Sequence, residues 1–230
     1  MNHVAKRVLT GVSFGAVVIC AILFAPAAAF LPVVVLLIAL AIAEFAALLN
    51  RKLPFSSKPL PASVFLLLGG AVIAGGLWSL VRIVALPNHG NVWLLYFVSI
   101  TKFSDVGGFA FGLTSAKLMK GGNHKLCPSI SPGKSWEGLF GSLLVSSGVS
   151  CAFMAFTKFS WAWSVVFGVV AALVGTFGDL VESKFKRWVG VKDSSAFKFT
   201  NGMGGILDML DSLLFAPAVL LLLYHFLLSR

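Results

Sequence analysis

Charge is what this sequence has least of. Only 11% of its 230 residues are Asp, Glu, Lys or Arg. Soluble domains carry about a quarter, so a water-soluble globular domain is excluded. No hydrophilic stretch is long enough to enclose a core of its own, which excludes a separate soluble module. Cysteine is nearly absent: Cys20, Cys127 and Cys151 are scattered, odd in number and without a CxxC pair. A disulfide framework and a cysteine-based metal site fall away together. Low-complexity tracts and clear internal repeats are missing as well.

What is present is apolar length. Apolar residues make up 58% of the chain, with a mean hydropathy of +0.96. Several runs exceed the ~18 residues that a spanning helix needs. They predict spans near 8–25, 28–49, 63–86, 92–113, 139–157, 161–182 and 206–228. Each must be helical, because backbone groups in lipid have to bond within their own segment. Long polar connections remain near 50–62, 114–138 and 183–205. The N-terminus and these connections hold most of the 18 basic residues, while the opposite side has only Arg82, Lys158 and Arg230. The positive-inside rule then puts the N-terminus and the long connections in the cytoplasm. The expectation is an all-α, polytopic integral membrane protein, about seven transmembrane helices in a single domain over 1–230, with a cytoplasmic N-terminus. A basic start, an apolar run and an Ala-rich end also fit a cleaved signal peptide, which would leave six spans with the same connections inside. With this apolarity, the basic excess points to anionic lipid or a phosphorylated substrate rather than to a nucleic acid polymer.

The eight acids are Glu44, Asp105, Glu137, Asp179, Glu182, Asp193, Asp208 and Asp211. Under this topology all lie in cytoplasmic connections or in the cytoplasmic halves of spans. Asp179 and Glu182 close span six, and Asp208 and Asp211 open span seven; a spacing of three puts each pair on one helix face. Acids in a first helical turn gain about 0.3–1 kcal/mol from the macrodipole, but at a helix end the same dipole opposes them. Converging carboxylates are costly unless a cation sits among them, and hard oxygen ligands suit Mg²⁺. The connection "ESKFKRWVGVKDSSAFKFTNGMGG" adds Lys184, Lys186, Arg187, Lys192 and Lys198 to a Gly202, Gly204 and Gly205 cluster. Basic groups and exposed N–H groups of this kind suit phosphate.

In "KLMKGGNHKLCPSISPGKSWEG", Gly133-Lys134-Ser135 resembles the end of a Walker A loop. Pro128 stands where that motif needs glycine, so a P-loop is rejected. Ser131, Lys134 and Glu137 remain candidates for a phosphate or a cation, and His124 with Cys127 is too little for zinc. In span four, Lys102 and Asp105 are three apart. They form either an internal ion pair or, on Asp105's side, part of a polar cavity shared with the later aspartates. The Gly108/Gly112 spacing fits close helix packing.

"GDLVESKFKRWVGVKDSS" and "GGILDMLDS" together resemble the signature of the phosphatidate cytidylyltransferases, also called CDP-diacylglycerol synthases. Ser183, Lys186, Arg187, Lys192, Asp193, Gly204, Gly205, Asp208 and Asp211 fall in the order of that signature. "SDVGGFAFG" and "ISPGKSWEG" are similar to two further family segments upstream. The resemblance runs over roughly residues 95 to 225. It departs at Met203 and Met209, where the family has His and Arg.

The resemblance implies transfer of the cytidylyl group of CTP to phosphatidate, giving CDP-diacylglycerol and pyrophosphate. Mg²⁺ would be the cofactor, a second cation being left open, at a site on the cytoplasmic face of the cell (inner) membrane. It implies Asp179 and Asp208, with Asp211 beside them, as metal ligands. Ser183, Lys186, Arg187, Lys192 and Asp193 would carry the transfer; Asp105, Ser131, Lys134, Glu137, Gly204 and Gly205 would complete the substrate site. A homodimer is also implied. Two other readings stay open at this point: a transporter or channel with a charged cavity on one side, and a catalytically altered lipid-binding relative.

Overall fold

The computed structural model describes residues 18–192, 194 and 205–228, so Asp193 and Gly204 of the expected site lie outside the described residues. After a helical stretch over 18–24 come α1 (Ala27–Lys52), α2 (Pro59–Val84) and α3 (Gly90–Leu118). A two-stranded hairpin follows, β1 (Lys125–Cys127) and β2 (Ser131–Ser135), then α4 (Trp136–Ala152) and α5 (Met154–Thr157). The chain continues through α6 (Trp161–Val189), α7 (Ile206–Leu210), a 3₁₀ turn (Ser212–Leu214) and α8 (Ala216–Leu228). Of the described helices, α1, α2, α3 and α6 are long and apolar enough to cross a membrane, while Ser212–Leu228 is a shorter apolar helix. The protein is a helical membrane protein.

Three departures from the expected boundaries bear on function. First, α6 runs seven residues beyond the expected end at 182, because Glu182, Lys184, Lys186 and Arg187 are good helix formers. It stops where Gly190 takes a left-handed conformation, φ +86, and its N–H bonds back to Lys186 and Arg187. Ser183, Lys186 and Arg187 are therefore helical rather than part of a connection. Second, the expected span over 206–228 is interrupted. The Asp211 side chain accepts the Ser212 N–H at 2.6 Å and starts the 3₁₀ turn, so Asp208 and Asp211 do not share one continuous helix face. Third, the connection over 114–138 contains the antiparallel hairpin, paired Lys125 with Ser135 and Cys127 with Ser131 around an irregularity.

The bundle is held together by small and polar residues, as expected where lipid removes the hydrophobic drive between helices. α3 and α4 form the most extensive helix contact. Gly107 and Gly108 of α3 face Gly141 and Ser142 of α4 so closely that a β-carbon would have no room. Ser142, Ser146 and Ser150 recur every four residues along α4. Their hydroxyls reach the Ser104 carbonyl (2.8 Å), the Ile100 carbonyl (2.7 Å) and the Tyr96 hydroxyl (2.7 Å), in that order back along α3. Trp93, Tyr96, Phe97, Phe159 and Phe167 form the aromatic centre beside this seam. The result is a closely packed pair of helices that carries Lys102 and Asp105 on α3 and the hairpin at its end.

Candidate active site

The polar residues gather where the C-terminal part of α6, the hairpin, α7 and the middle of α3 meet. Asp179 stands ten residues before the end of α6, roughly 15 Å along the helix axis at 1.5 Å per residue. The site therefore reaches into the bundle instead of lying on its end. Gly178 lets the Asp211 backbone approach α6, since a β-carbon there would press on the Asp211 carbonyl.

Two charge clusters result. In the first, Lys186 Nζ lies 2.6 Å from both Glu182 Oε2 and Asp208 Oδ1. Glu182 and Lys186 are one helical turn apart on α6, and Asp208 arrives from α7. The second oxygen of Asp208 accepts the N–H groups of Ser194 and Gly205, both at 3.1 Å, and the Asp208 N–H donates to Ser194 Oγ at 3.3 Å. A β-carbon on Gly205 would collide with Ser194 Oγ and with Glu44 Oε1, so this turn requires glycine.

In the second cluster, Lys134 on β2 reaches Asp179 Oδ2 at 2.6 Å. Lys102 Nζ donates to Ser212 Oγ (2.8 Å) and to the Met209 carbonyl (3.1 Å), and pairs with Asp105 Oδ2 at 3.5 Å. Ser212 Oγ donates in turn to Asp105 Oδ2 at 3.0 Å. Asp211 adjoins this cluster: its carbonyl faces Gly178, the residue before Asp179, and its carboxylate accepts the Ser212 N–H. Lys102 and Asp105 thus form an ion pair, and Ser212 joins that pair to the start of the 3₁₀ turn.

The carboxylates expected to bind metal divide between these clusters, Asp208 in the first and Asp179 with Asp211 in the second. Among the described residues, no three His, Cys, Asp or Glu side chains are grouped to hold one ion; lysine ammonium groups provide the local countercharge. Asp179 Oδ1 and Glu182 Oε1 are nevertheless buried without a hydrogen-bond partner among the described residues. An acceptor left that way costs about 1–3 kcal/mol, so Asp179 Oδ1 is an oxygen that could take a cation.

Other expected residues frame the site. Arg187 donates from Nε to the Ile130 carbonyl at 3.4 Å, tying the hairpin turn to α6. Ser183 is half-buried on α6, Lys192 is exposed just beyond its end, and Ser131 begins β2. Glu137 is committed elsewhere: it accepts from His124 Nδ1 at 2.6 Å and from the His124 N–H, fastening the two ends of the hairpin. The His124 contact holds the Glu137 carboxyl down to about 2. Sequence reasoning gave no site role to Lys102 or Glu44, although each was detectable as a charged residue within an apolar helix.

Comparison with known proteins bears on the same region. The model of the cytidylyltransferase family matches residues 62–227. A phosphatidate cytidylyltransferase of Staphylococcus aureus (strain COL) is 42% identical over 135 residues, which are 58% of this chain and 49% of that protein. One from Staphylococcus saprophyticus is 39% identical over 135 residues, with the same two shares. One from Mycobacterium tuberculosis (strain CDC 1551 / Oshkosh) is 37% identical over 130 residues, 56% of this chain and 37% of that protein. The matched region spans about half or less of the length of these curated relatives.

Proposed function

The chain belongs to the cytidylyltransferase family, and from that premise we propose that it transfers the cytidylyl group of CTP to phosphatidate, giving CDP-diacylglycerol and pyrophosphate. An oxygen of the lipid phosphate attacks the α-phosphorus of CTP. A new P–O bond forms as the bond to the β-phosphate oxygen breaks, and pyrophosphate leaves with that electron pair. The lipid phosphate is itself the nucleophile, so no protein nucleophile is required.

The observation that carries this reading is the pair of sheltered ammonium groups, Lys134 against Asp179 and Lys186 against Asp208, each at 2.6 Å. Both reactants are anions, and catalysis of phosphoryl-type transfer is mainly positioning and charge stabilisation. Lys134 and Lys186 can exchange a carboxylate contact for a phosphate oxygen while Asp179 and Asp208 keep them aimed. Arg187 and Lys192 would add charge at the rim, and the backbone N–H groups of Ser194 and Gly205, which converge on Asp208, would lie close to the phosphates. Asp179 and Asp211 are the residues that would hold Mg²⁺, since this ion is usually bound by one or two carboxylates together with substrate phosphates. When bound, it would neutralise the phosphates and stabilise the departing pyrophosphate.

The reading includes the seven-span topology with the N-terminus and the long connections in the cytoplasm. The site would then face the cytoplasmic side of the cell (inner) membrane, taking CTP from water and phosphatidate sideways from the leaflet. Purified protein mixed with CTP, Mg²⁺ and phosphatidate is expected to release pyrophosphate and form a CDP-lipid. Asp208→Asn should cut that rate by about a hundredfold, the size of loss expected for a preorganised electrostatic contact. A wild-type protein that makes no CDP-lipid, or an Asp208→Asn variant as fast as wild type, would overturn the reading.

A further inference from the structure

We propose that Glu44, on α1 and outside the residues matched by the family model, is a positioning residue for the Asp208 turn; this rests on the nucleotidyl-transfer reading above. Glu44 is fully buried, the one charged residue of α1 before its polar end at Asn50, Arg51 and Lys52. Its carboxylate crosses 163 residues of sequence to accept the Leu207 N–H at 2.8 Å. Its other oxygen lies against Gly205, at the position a β-carbon would need. Leu207 is the second residue of α7, and Asp208 follows it directly.

A helix of five residues does not hold its own orientation, because nucleation outweighs so few hydrogen bonds. Its first N–H groups have no partner within the helix, so whatever accepts them sets its direction. Glu44 is that acceptor at Leu207, and through it the rotation of α7 and the aim of Asp208 at Lys186 are fixed. The neighbouring residue repeats the arrangement on the other member of the pair. Phe45 stacks on Phe185 with ring centres 4.7 Å apart, and Phe185 directly precedes Lys186. Phe45 itself is wedged against Gly69 of α2. Consecutive residues of α1 thus contact the residue immediately before each member of the Lys186–Asp208 pair, Glu44 at the Leu207 N–H and Phe45 at the Phe185 ring. Placement of that pair depends on α1.

The test uses the full chain in lipid nanodiscs and reads hydrogen exchange at the Leu207 amide together with kcat and KM for CTP. In wild type the Leu207 amide should exchange slowly despite its place at the start of a five-residue helix; fast exchange there overturns the proposal by itself. Glu44→Gln keeps an acceptor oxygen and should keep slow Leu207 exchange and most of kcat. Glu44→Leu removes the acceptor; it should speed Leu207 exchange and lower kcat at least tenfold while KM for CTP moves less than threefold, measured well below its unfolding temperature. Glu44→Leu with unchanged kcat, or Glu44→Gln impaired as severely as Glu44→Leu, would overturn the positioning role. If wild type converts no CTP, the nucleotidyl-transfer reading fails and the exchange pattern alone judges whether Glu44 orients the turn.

Discussion

At the scale of single residues, two neighbouring glycines of α2 separate what the fold tolerates from what it does not. A β-carbon at Gly75 would meet nothing within 4 Å, whereas one at Gly76 would collide with the Leu214 carbonyl. Leu214 belongs to the 3₁₀ turn that begins at Ser212, whose hydroxyl links Lys102 to Asp105. Gly76→Ala should therefore lower thermal stability in detergent by the about 1–3 kcal/mol typical of overpacking. It should also reduce the rate of CDP-lipid formation by displacing Ser212. Gly75→Ala should leave the rate unchanged and hold or slightly raise the unfolding temperature, since Ala favours a helix over Gly by about 1 kcal/mol. Equal effects from the two substitutions would show that the approach of α2 to the 3₁₀ turn is not as close as described.

At the scale of elements, the joint between α6 and α7 is a matter of counting charges. Lys186 serves Glu182 and Asp208 together, and the three side chains are 13%, 7% and 16% exposed. Asp208→Asn leaves one ammonium with one carboxylate. Lys186→Met strands two carboxylates, and removing one partner from a buried pair costs about 3–5 kcal/mol. Lys186→Met should thus lower the unfolding temperature well beyond Asp208→Asn, and adding Asp208→Asn to Lys186→Met should recover part of the loss. A double variant less stable than Lys186→Met would contradict the shared-ammonium geometry.

The same joint shows why the elements were unevenly readable in the sequence. The helices α1, α2 and α3 follow from long apolar runs, and the gathering of acids with lysines follows from their one-sided distribution. The break at Asp211 did not follow, because "ILDMLDSLLFAPAVLLLL" keeps its apolar character straight through it. Irregular backbone at such a place is tolerated only where protein groups satisfy it, and Lys102, which accepts nothing but donates to the Met209 carbonyl, comes from a helix a hundred residues away. The hairpin was hidden for another reason: "KLC" and "SPGKS" have no alternating pattern to betray strands. Likewise, nothing local in α1 indicated that Glu44 would find Leu207.

At the scale of the whole molecule, the asymmetry of charge makes an orientation claim that can be checked without any activity. Arg51, Lys52 and Lys58 lie around the α1–α2 connection, and Lys117, Lys120, Lys125 and Lys134 lie at the end of α3 and through the hairpin. If basic residues stay on the cytoplasmic side, Cys127 on β1 belongs there too. It is partly exposed, and the other two cysteines are removable by Ser substitution at Cys20 and Cys151. The single-cysteine protein should react with a membrane-impermeant maleimide in inside-out vesicles and stay unlabelled in sealed right-side-out cells until detergent is added. Labelling from outside intact cells would invert the topology. It would also place the Lys134–Asp179 contact, whose lysine is seven residues from Cys127 along the hairpin, beyond the reach of cytoplasmic CTP, so the orientation and the proposed substrate stand on one measurement.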